Sequence, residues 1–341
     1  MTDLSIAAVV GFCVEGCGMK VIWKEICTAF FMGAILPVLI LNISALLLRG
    51  KAQELPIVES VPETSAAERL DFPVLIHFSD GNVKQMDMDM YLTGVVLGEM
   101  PADFESEALK AQAVAARTYT AKAVKTGGKH GDGSICTDPS CCQAYLSEEM
   151  YLSRGGTEEL LQKVRSAVAD TSGYVLTYDG ELIEATYFSC SGGSTEDAVA
   201  VWGTDYPYLR AVPSPGEEEA HHFCDTTCFT VSQFQEKTGC TLTGDPSEWF
   251  EIEAYTQGGG IDSMLICGER YTGTQLRQLL GLPSTAMTIS AAGDTITIVT
   301  RGYGHRVGMS QYGADAMAAT GSNFIEILAH YYPGTQLVQL S

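Results

Sequence analysis

YLTGVVLGEMPADFESEALKAQAVAARTYTAKAV, residues 91–124, is the stretch on which the reading of the chain turns. Tyr91 to Leu97 is mostly apolar, Gly98-Glu99-Met100-Pro101 breaks the run, and from Glu105 the positions Leu109, Ala113, Ala116 and Tyr119 recur at helical spacing. Pro101 forbids one continuous helix through the break, because it has no N–H to donate and its ring collides with the preceding turn. The predicted unit is an apolar approach, a sharp corner and a long amphipathic helix. Glu99 is the acid at the corner. Held among Val95, Val96, Leu97 and Met100 it is partly desolvated, its pKa rises and it keeps a proton to donate. Facing water, it is only a helix-terminal charge. The stretch alone leaves both readings open.

Toward the N-terminus, Phe72 to Met90 reads as two strands, PVLIHFS and KQMDMDM, turned at Asp80-Gly81-Asn82. Residues 49–71, with Pro56 and Pro62 among Glu, Ser and Ala, read as a polar linker. Ile26 to Leu48 is 23 residues without a charge, long enough to cross a hydrocarbon core, and reads as one transmembrane helix after a short tail, 1–25. A cleaved signal peptide is the competing reading. Against it stand the length of the apolar region and the lack of a small-x-small site just beyond. Lys20 and Lys24 are matched by Arg49 and Lys51, so flanking charge barely orients the span; the large C-terminal part is placed outside.

Toward the C-terminus, a turn-rich loop, 126–134, leads into ICTDPSCCQAY. A helix is predicted from about Gly156 to Thr171, and a hairpin of Tyr174–Tyr178 with Glu184–Ser189 turned at Asp179-Gly180. Residues 213–228 read as a second linker containing a Glu217-Glu218-Glu219 run. From about 228 to 300 the pattern is that of a smaller α/β lobe, with helices near Val231–Thr238 and Gly273–Leu280 and strands near Met287–Ser290 and Thr295–Val299. A Gly-rich loop, 302–313, then enters helices near Ala314–Ala319 and Phe324–Tyr331. The class is α+β, with one large domain over 72–341.

With 341 residues the chain can hold two ordinary domains. Its 42 Asp and Glu against 20 Lys and Arg argue against a nucleic-acid surface, which needs clustered positive charge. A glycan ligand is compatible with that balance.

Reactive residues gather at four places. The first is Glu99. The second is His130, Cys136 and Cys142, with five residues between neighbours: one imidazole and two thiolates form a zinc ligand set with an open fourth position, which Cys141 can fill. A Cys136–Cys142 disulfide is the alternative, and Cys224–Cys228 is a further candidate pair. The third is Phe188-Ser-Cys-Ser-Gly-Gly-Ser-Thr195, where Ser191 offers a hydroxyl for hydrogen bonding; no Gly-x-Ser-x-Gly elbow makes it a nucleophile. Trp202, Tyr206 and Tyr208 follow, either as sugar-stacking rings or as core. The fourth is the loop around His305.

These pieces occur in the same order in one family. The chain resembles the stage II sporulation protein D family on Tyr91-Leu92, Gly98 to Pro101, Ala108 to Tyr119, Phe188-Ser189 with Ser191 to Gly193, Val201 to Gly203, Tyr206 to Leu209, and Gly304-His305 with Val307 to Ala314. The resemblance implies a membrane-anchored lytic transglycosylase with a mixed α/β, two-lobed domain around a central cleft. Glu99 is then the catalytic acid that cuts the β-1,4 bond between N-acetylmuramic acid and N-acetylglucosamine. Arg117, Ser191, His305, Gln311 and Tyr206 are expected to line the cleft, and His130, Cys136 and Cys142 to hold a structural or substrate-positioning zinc. The same resemblance implies peptide-stripped glycan strands as substrate. It also implies stage II sporulation proteins P and M as partners, and a single-pass place in the mother-cell membrane facing the intermembrane space during engulfment. Two positions depart from the family pattern: Arg306 stands where a glycine is usual, and Cys190 where a serine is common.

Overall fold

A computed structural model describes residues 57–58 and 73–340. The predicted tail and transmembrane span lie outside the described residues, as does nearly all of the 49–71 linker. Among the described residues, no helix is long and apolar enough to cross a membrane.

The chain begins with β1 (Ile57–Val58), β2 (Val74–His77), β3 (Val83–Met86), α1 (Met88–Glu99), α2 (Ser106–Thr126) and β4 (Ile135–Cys136). The alternation in KQMDMDM suggested a strand through Met90, but the strand stops at Met86. Asp87 accepts hydrogen bonds from the backbone N–H groups of Asp89 and Met90 and so caps a helix there. The apolar approach is therefore helix α1, buried from Tyr91 to Leu97. At its end Met100 turns to extended backbone and Pro101 begins the corner.

Helix α2 corrects the amphipathic expectation. Its residues Ala108 and Leu109 and the run Ala111 to Thr118 are buried, so it is the central helix, enclosed on every side, and not a surface helix with one wet face. Ala108, Ala111, Ala113, Ala115 and Ala116 keep it slim, which lets neighbouring helices approach closely.

The rest follows in order: α3 (Glu148–Ser153), α4 (Glu158–Asp170), β5 (Tyr174–Tyr178), β6 (Glu181–Leu182), β7 (Tyr187–Phe188) and α5 (Ala198–Trp202). Then come β8 (Cys224–Thr230), α6 (Val231–Thr238), β9 (Phe250–Tyr255), β10 (Ile261–Ile266), β11 (Glu269–Thr272) and α7 (Gly273–Leu280). The chain ends through β12 (Met287–Ala292), β13 (Thr295–Arg301), β14 (Met309–Ser310), α8 (Gln311–Ala319), α9 (Phe324–Tyr331) and β15 (Gln336–Gln339). The sheets are small: β1-β15-β5-β6, β3-β2-β4, β11-β10-β9, β12-β13-β8 and the pair β14-β7.

Two buried apolar clusters form. One gathers α1, α2, α4, α8 and α9 around β5 and β15; the other lies wholly within Phe229–Ile298, the stretch read as a smaller α/β lobe. The hairpin at Asp179-Gly180 closes on β6 and not on residues 184–189. Instead β7 runs parallel to β14, pairing Tyr187 with Met309 and Phe188 with Ser310, which sets the Ser-rich segment beside the His305 loop. The predicted linker 213–228 also needs correction, because its last residues enter β8 and zip onto β13 from Cys224 to Thr230. The β-branched Thr226 and Thr227 suit a pleated edge better than a linker.

Candidate active site and metal cluster

A cleft of about 840 Å³ is walled by the end of α1, the loop 139–144, the segment 184–189, Trp202 and Tyr206, and the turn 303–305 with Gln311. Glu99 is the last residue of α1, half-buried in the cleft wall. Its Oε1 accepts a 2.6 Å hydrogen bond from the backbone N–H of Ala144, and Gln311 Nε2 stands 3.5 Å from Oε2. Burial raises its pKa, and the two donors only partly oppose that rise.

Glycines make the Ala144 contact possible. A Cβ at Gly98 would lie 2.9 Å from Ala144 C and Tyr145 N, and one at Gly94 would enter the Tyr145 ring. Four residues apart, they leave a groove on one face of α1 into which Ala144 and Tyr145 press. Gln143 locks that segment from behind. Its Oε1 accepts from Thr120 Oγ1 at 2.9 Å, and its Nε2 donates to the Tyr187 hydroxyl at 2.7 Å.

His305 sits across the cleft between Phe188 and Trp202, ring centroids 5.6 and 5.2 Å away. Its Nδ1 accepts from the Val307 N–H, leaving Nε2 to carry the proton. Burial, then the positive charge of Arg277, lowers its pKa to about 4, so the ring is neutral near pH 7. Trp202 is 42% exposed and Tyr206 also lines the cleft. The cleft thus brings Glu99, Gln311, His305 and Tyr206 together.

It does not include Arg117 or Ser191. Arg117 is 1% exposed and points away: it donates to the carbonyls of Thr171 and Val168 at the C-terminal end of α4, and to Asp89 Oδ1 at 2.9 Å. It pins the central helix to two others. Arg117→Ala is therefore expected to lower unfolding free energy by about 3 kcal/mol, because two helix-end carbonyls and Asp89 lose their donor. Chemical denaturation checks it, with any loss of activity tracking loss of fold.

Ser191 is fully buried, and its hydroxyl donates to Glu217 Oε2 at 2.7 Å. The same oxygen accepts from the N–H groups of Ser191 and Gly192, both at 2.9 Å, and from the Cys190 thiol. Glu217 Oε1 accepts from Ser214 and Ser310. Burial and then the Glu217 charge push the Cys190 thiol up to about 12, so it stays protonated and donates. Glu217 therefore organises the Ser-rich segment. Nothing in an acidic triplet marks its first member as the buried one.

Arg306 answers its own departure from the family pattern. It takes the left-handed conformation, φ 64°, that glycine adopts without strain, yet its guanidinium is buried. It donates to the carbonyls of Ser191, Ser194 and Gly258 and lies 3.3 Å from Glu196 Oε1. Glu196 in turn accepts from Thr256 and Gly260 in the β9–β10 turn. A second carboxylate, Glu184, also lines the cleft, paired with Lys122 at 2.9 Å. The spacing of sequence motifs had pointed to Glu99 alone.

Beside the cleft, one donor atom from each of His130, Cys136, Cys141 and Cys142 lies within 4.8 Å of the others. Cys141 Sγ is 3.8 Å from Cys142 Sγ, and His130 Nε2 is 3.9 and 3.5 Å from those two sulfurs. The edge of a tetrahedron built on zinc–sulfur bonds is about 3.8 Å. The cluster can coordinate a metal ion and its donor set suits zinc. Cys141 joins the three residues read from spacing, which makes a closed, structural set. All eight cysteines among the described residues are free. Cys224 and Cys228 lie four residues apart on one strand, about 13 Å, beyond disulfide reach. The domain purified under reducing conditions is expected to carry one zinc ion. Cys141→Ser should release it to a chelator at least about tenfold more readily, since even outer-shell changes cost that much.

A family model described as Stage II sporulation protein matches residues 79–178. Over 279 residues, 81% of each chain, the protein is 40% identical to Stage II sporulation protein D of Bacillus subtilis (strain 168). The chain belongs to the stage II sporulation protein D family. Its likeness to Stage II sporulation protein D of Bacillus amyloliquefaciens is 38% over 287 residues, covering 82% and 83% of the two chains. The chain is also similar to the Amidase enhancer of Bacillus subtilis (strain 168), 31% identical over 72% of this chain and 40% of that protein. The family model spans Glu99 and the metal cluster, whereas Glu217, His305 and Gln311 lie beyond it.

Proposed function

We propose that this chain is a peptidoglycan lytic transglycosylase that cuts the β-1,4 bond between N-acetylmuramic acid and N-acetylglucosamine in peptide-stripped strands. The observation that carries the reading is Glu99: a carboxyl group in a cleft wall, its pKa raised by burial, contacted by the neutral donors Ala144 N–H and Gln311. It protonates the glycosidic oxygen, and the breaking bond leaves its electron pair on that oxygen. As carboxylate, Glu99 then takes the proton of the muramic 6-hydroxyl while O6 bonds to C1. One acid–base group completes the exchange and no water is consumed, so no carboxylate pair of the kind used in glycoside hydrolysis is needed. Tyr206 and Trp202 supply ring faces for sugars, and neutral His305 supplies an Nε2 proton for a hydroxyl or acetamido oxygen.

Zinc held by His130, Cys136, Cys141 and Cys142 would clamp the loop that carries Ala144 and would have no part in bond cleavage. On this reading the enzyme acts in forespore engulfment, anchored in the mother-cell membrane by the predicted span 26–48, with stage II sporulation proteins P and M as partners; likeness to Stage II sporulation protein D supports it. Mass spectrometry of digested, peptide-stripped strands tests the reaction. Products ending in 1,6-anhydromuramic acid are expected; reducing-end muramic acid as the sole product would mean hydrolysis, with Glu184 the first residue to test.

The likeness to an amidase enhancer favours a second reading, a non-catalytic wall-binding module. Such a module would bind strands and leave their length distribution unchanged.

A further inference from the structure

We propose that Lys129 recognises the lactyl carboxylate that a muramoyl sugar exposes once its stem peptide has been removed, an inference that rests on the reading of the cleft as a glycan site. The cleft walls hold few charges. Glu184 is neutralised by Lys122, the imidazole of His305 is neutral, and Glu99 must carry a proton to act. Lys129 remains. It is exposed at the cleft wall, its Nζ donates to the Cys141 carbonyl, and among the described residues no carboxylate pairs with it. An ammonium group has three donors and no acceptor, so two protons stay available to a ligand.

The whole-molecule charge makes that placement matter. A chain of formal net charge −22 repels anions, and an anionic group enters its cleft only where a local cation offsets the field. The positive field does reach the cleft interior: the charges of Arg277 and Lys129 both disfavour a proton on His305.

The glycan offers one group that fits. In an intact strand the lactyl carbonyl of the muramoyl sugar is tied to the stem peptide as a neutral amide. Hydrolysis adds water across that C–N bond and leaves a carboxylate on the sugar and a free amino group on the peptide. A chito-oligosaccharide has no such group at all. Lys129 thus distinguishes the stripped sugar by charge.

The test uses the full chain with Glu99→Gln, which binds without turnover, and two glycans: peptide-stripped strands, and the same strands with the lactyl carboxylates converted to neutral amides. Lys129→Gln added to Glu99→Gln should erase a preference of roughly ten- to a hundredfold for the free acid, the range of a charge-assisted hydrogen bond, and leave affinity for the amidated strands unchanged. Lys129→Arg should keep the preference, and salt should shrink it. Equal affinity of the Glu99→Gln protein for both glycans would overturn the proposal. So would a Lys129→Gln protein that loses affinity for both equally while losing zinc, which would mark Lys129 as a prop of the metal loop. Failure of the unsubstituted enzyme to form anhydro ends would sink the transglycosylase reading and leave the affinity ratio to decide Lys129.

Discussion

Glu99→Gln should cut the rate of anhydro-product formation by roughly a thousandfold or more while making the folded protein more stable at neutral pH. The two effects have one cause. Burial raises the folded-state pKa of Glu99 above its unfolded value. A raised carboxyl pKa contributes stability that is fully present below the unfolded pKa and is lost as pH rises through the folded pKa. At neutral pH the wild-type chain carries that unfavourable ionisation, and the amide does not. Melting curves of the two proteins should converge in acid and separate as pH climbs through the Glu99 pKa, with the glutamine variant higher. The rate of the unsubstituted enzyme should fall over the same interval, because the acid must be protonated at the start of each turnover. Equal activity of the two proteins would remove Glu99 from the chemistry.

Glu217→Ala should cost at least about 4 kcal/mol of unfolding free energy, the largest stability loss expected of any single substitution discussed for this chain. Glu217 is 1% exposed and its two oxygens accept from Ser191, Gly192, Cys190, Ser214 and Ser310. Removing the carboxylate strands several buried donors at once. Glu217→Gln should cost less than the alanine, since an amide oxygen in place of Oε2 still accepts from the Ser191 and Gly192 N–H groups and an NH2 in place of Oε1 meets two serine hydroxyls that can turn to accept. Glu218→Gln, one residue on and exposed, should stay within about 0.5 kcal/mol. Urea titrations read all three, with a lowered midpoint and an unchanged slope as the expected form.

Glu99 and Glu217 also show which parts of the site were legible beforehand. Glu99 lay beside a glycine-and-proline break that any helix reading must respect, and its company of motifs raised it above a solvated charge. Glu217 sat in a run of three acids where composition speaks only of solvent. Arg117 shows a different limit. Its place in α2 followed from periodicity, but the direction of a long side chain is set by what surrounds the helix, and α2 is enclosed on all sides. Within residues 228–300 the helices α6 and α7 are legible in the sequence because Thr230 and Thr272 begin full capping boxes and Gly239 and Gly281 end the helices. The pairing of segment 184–189 is not legible in the sequence, because a hairpin turn indicates where the chain reverses, not how far the returning strand stays paired.

The site also has a property in time. Gln311 reaches Glu99 across 212 residues of chain, and it directly follows β14, which pairs with β7. During synthesis the acid and its helix emerge early, while the residues that close the cleft over it emerge among the last. A chain interrupted between residues 99 and 305 carries the acid but neither His305 nor Gln311. Closure of the cleft over Glu99 therefore has to wait until nearly the whole chain has been made.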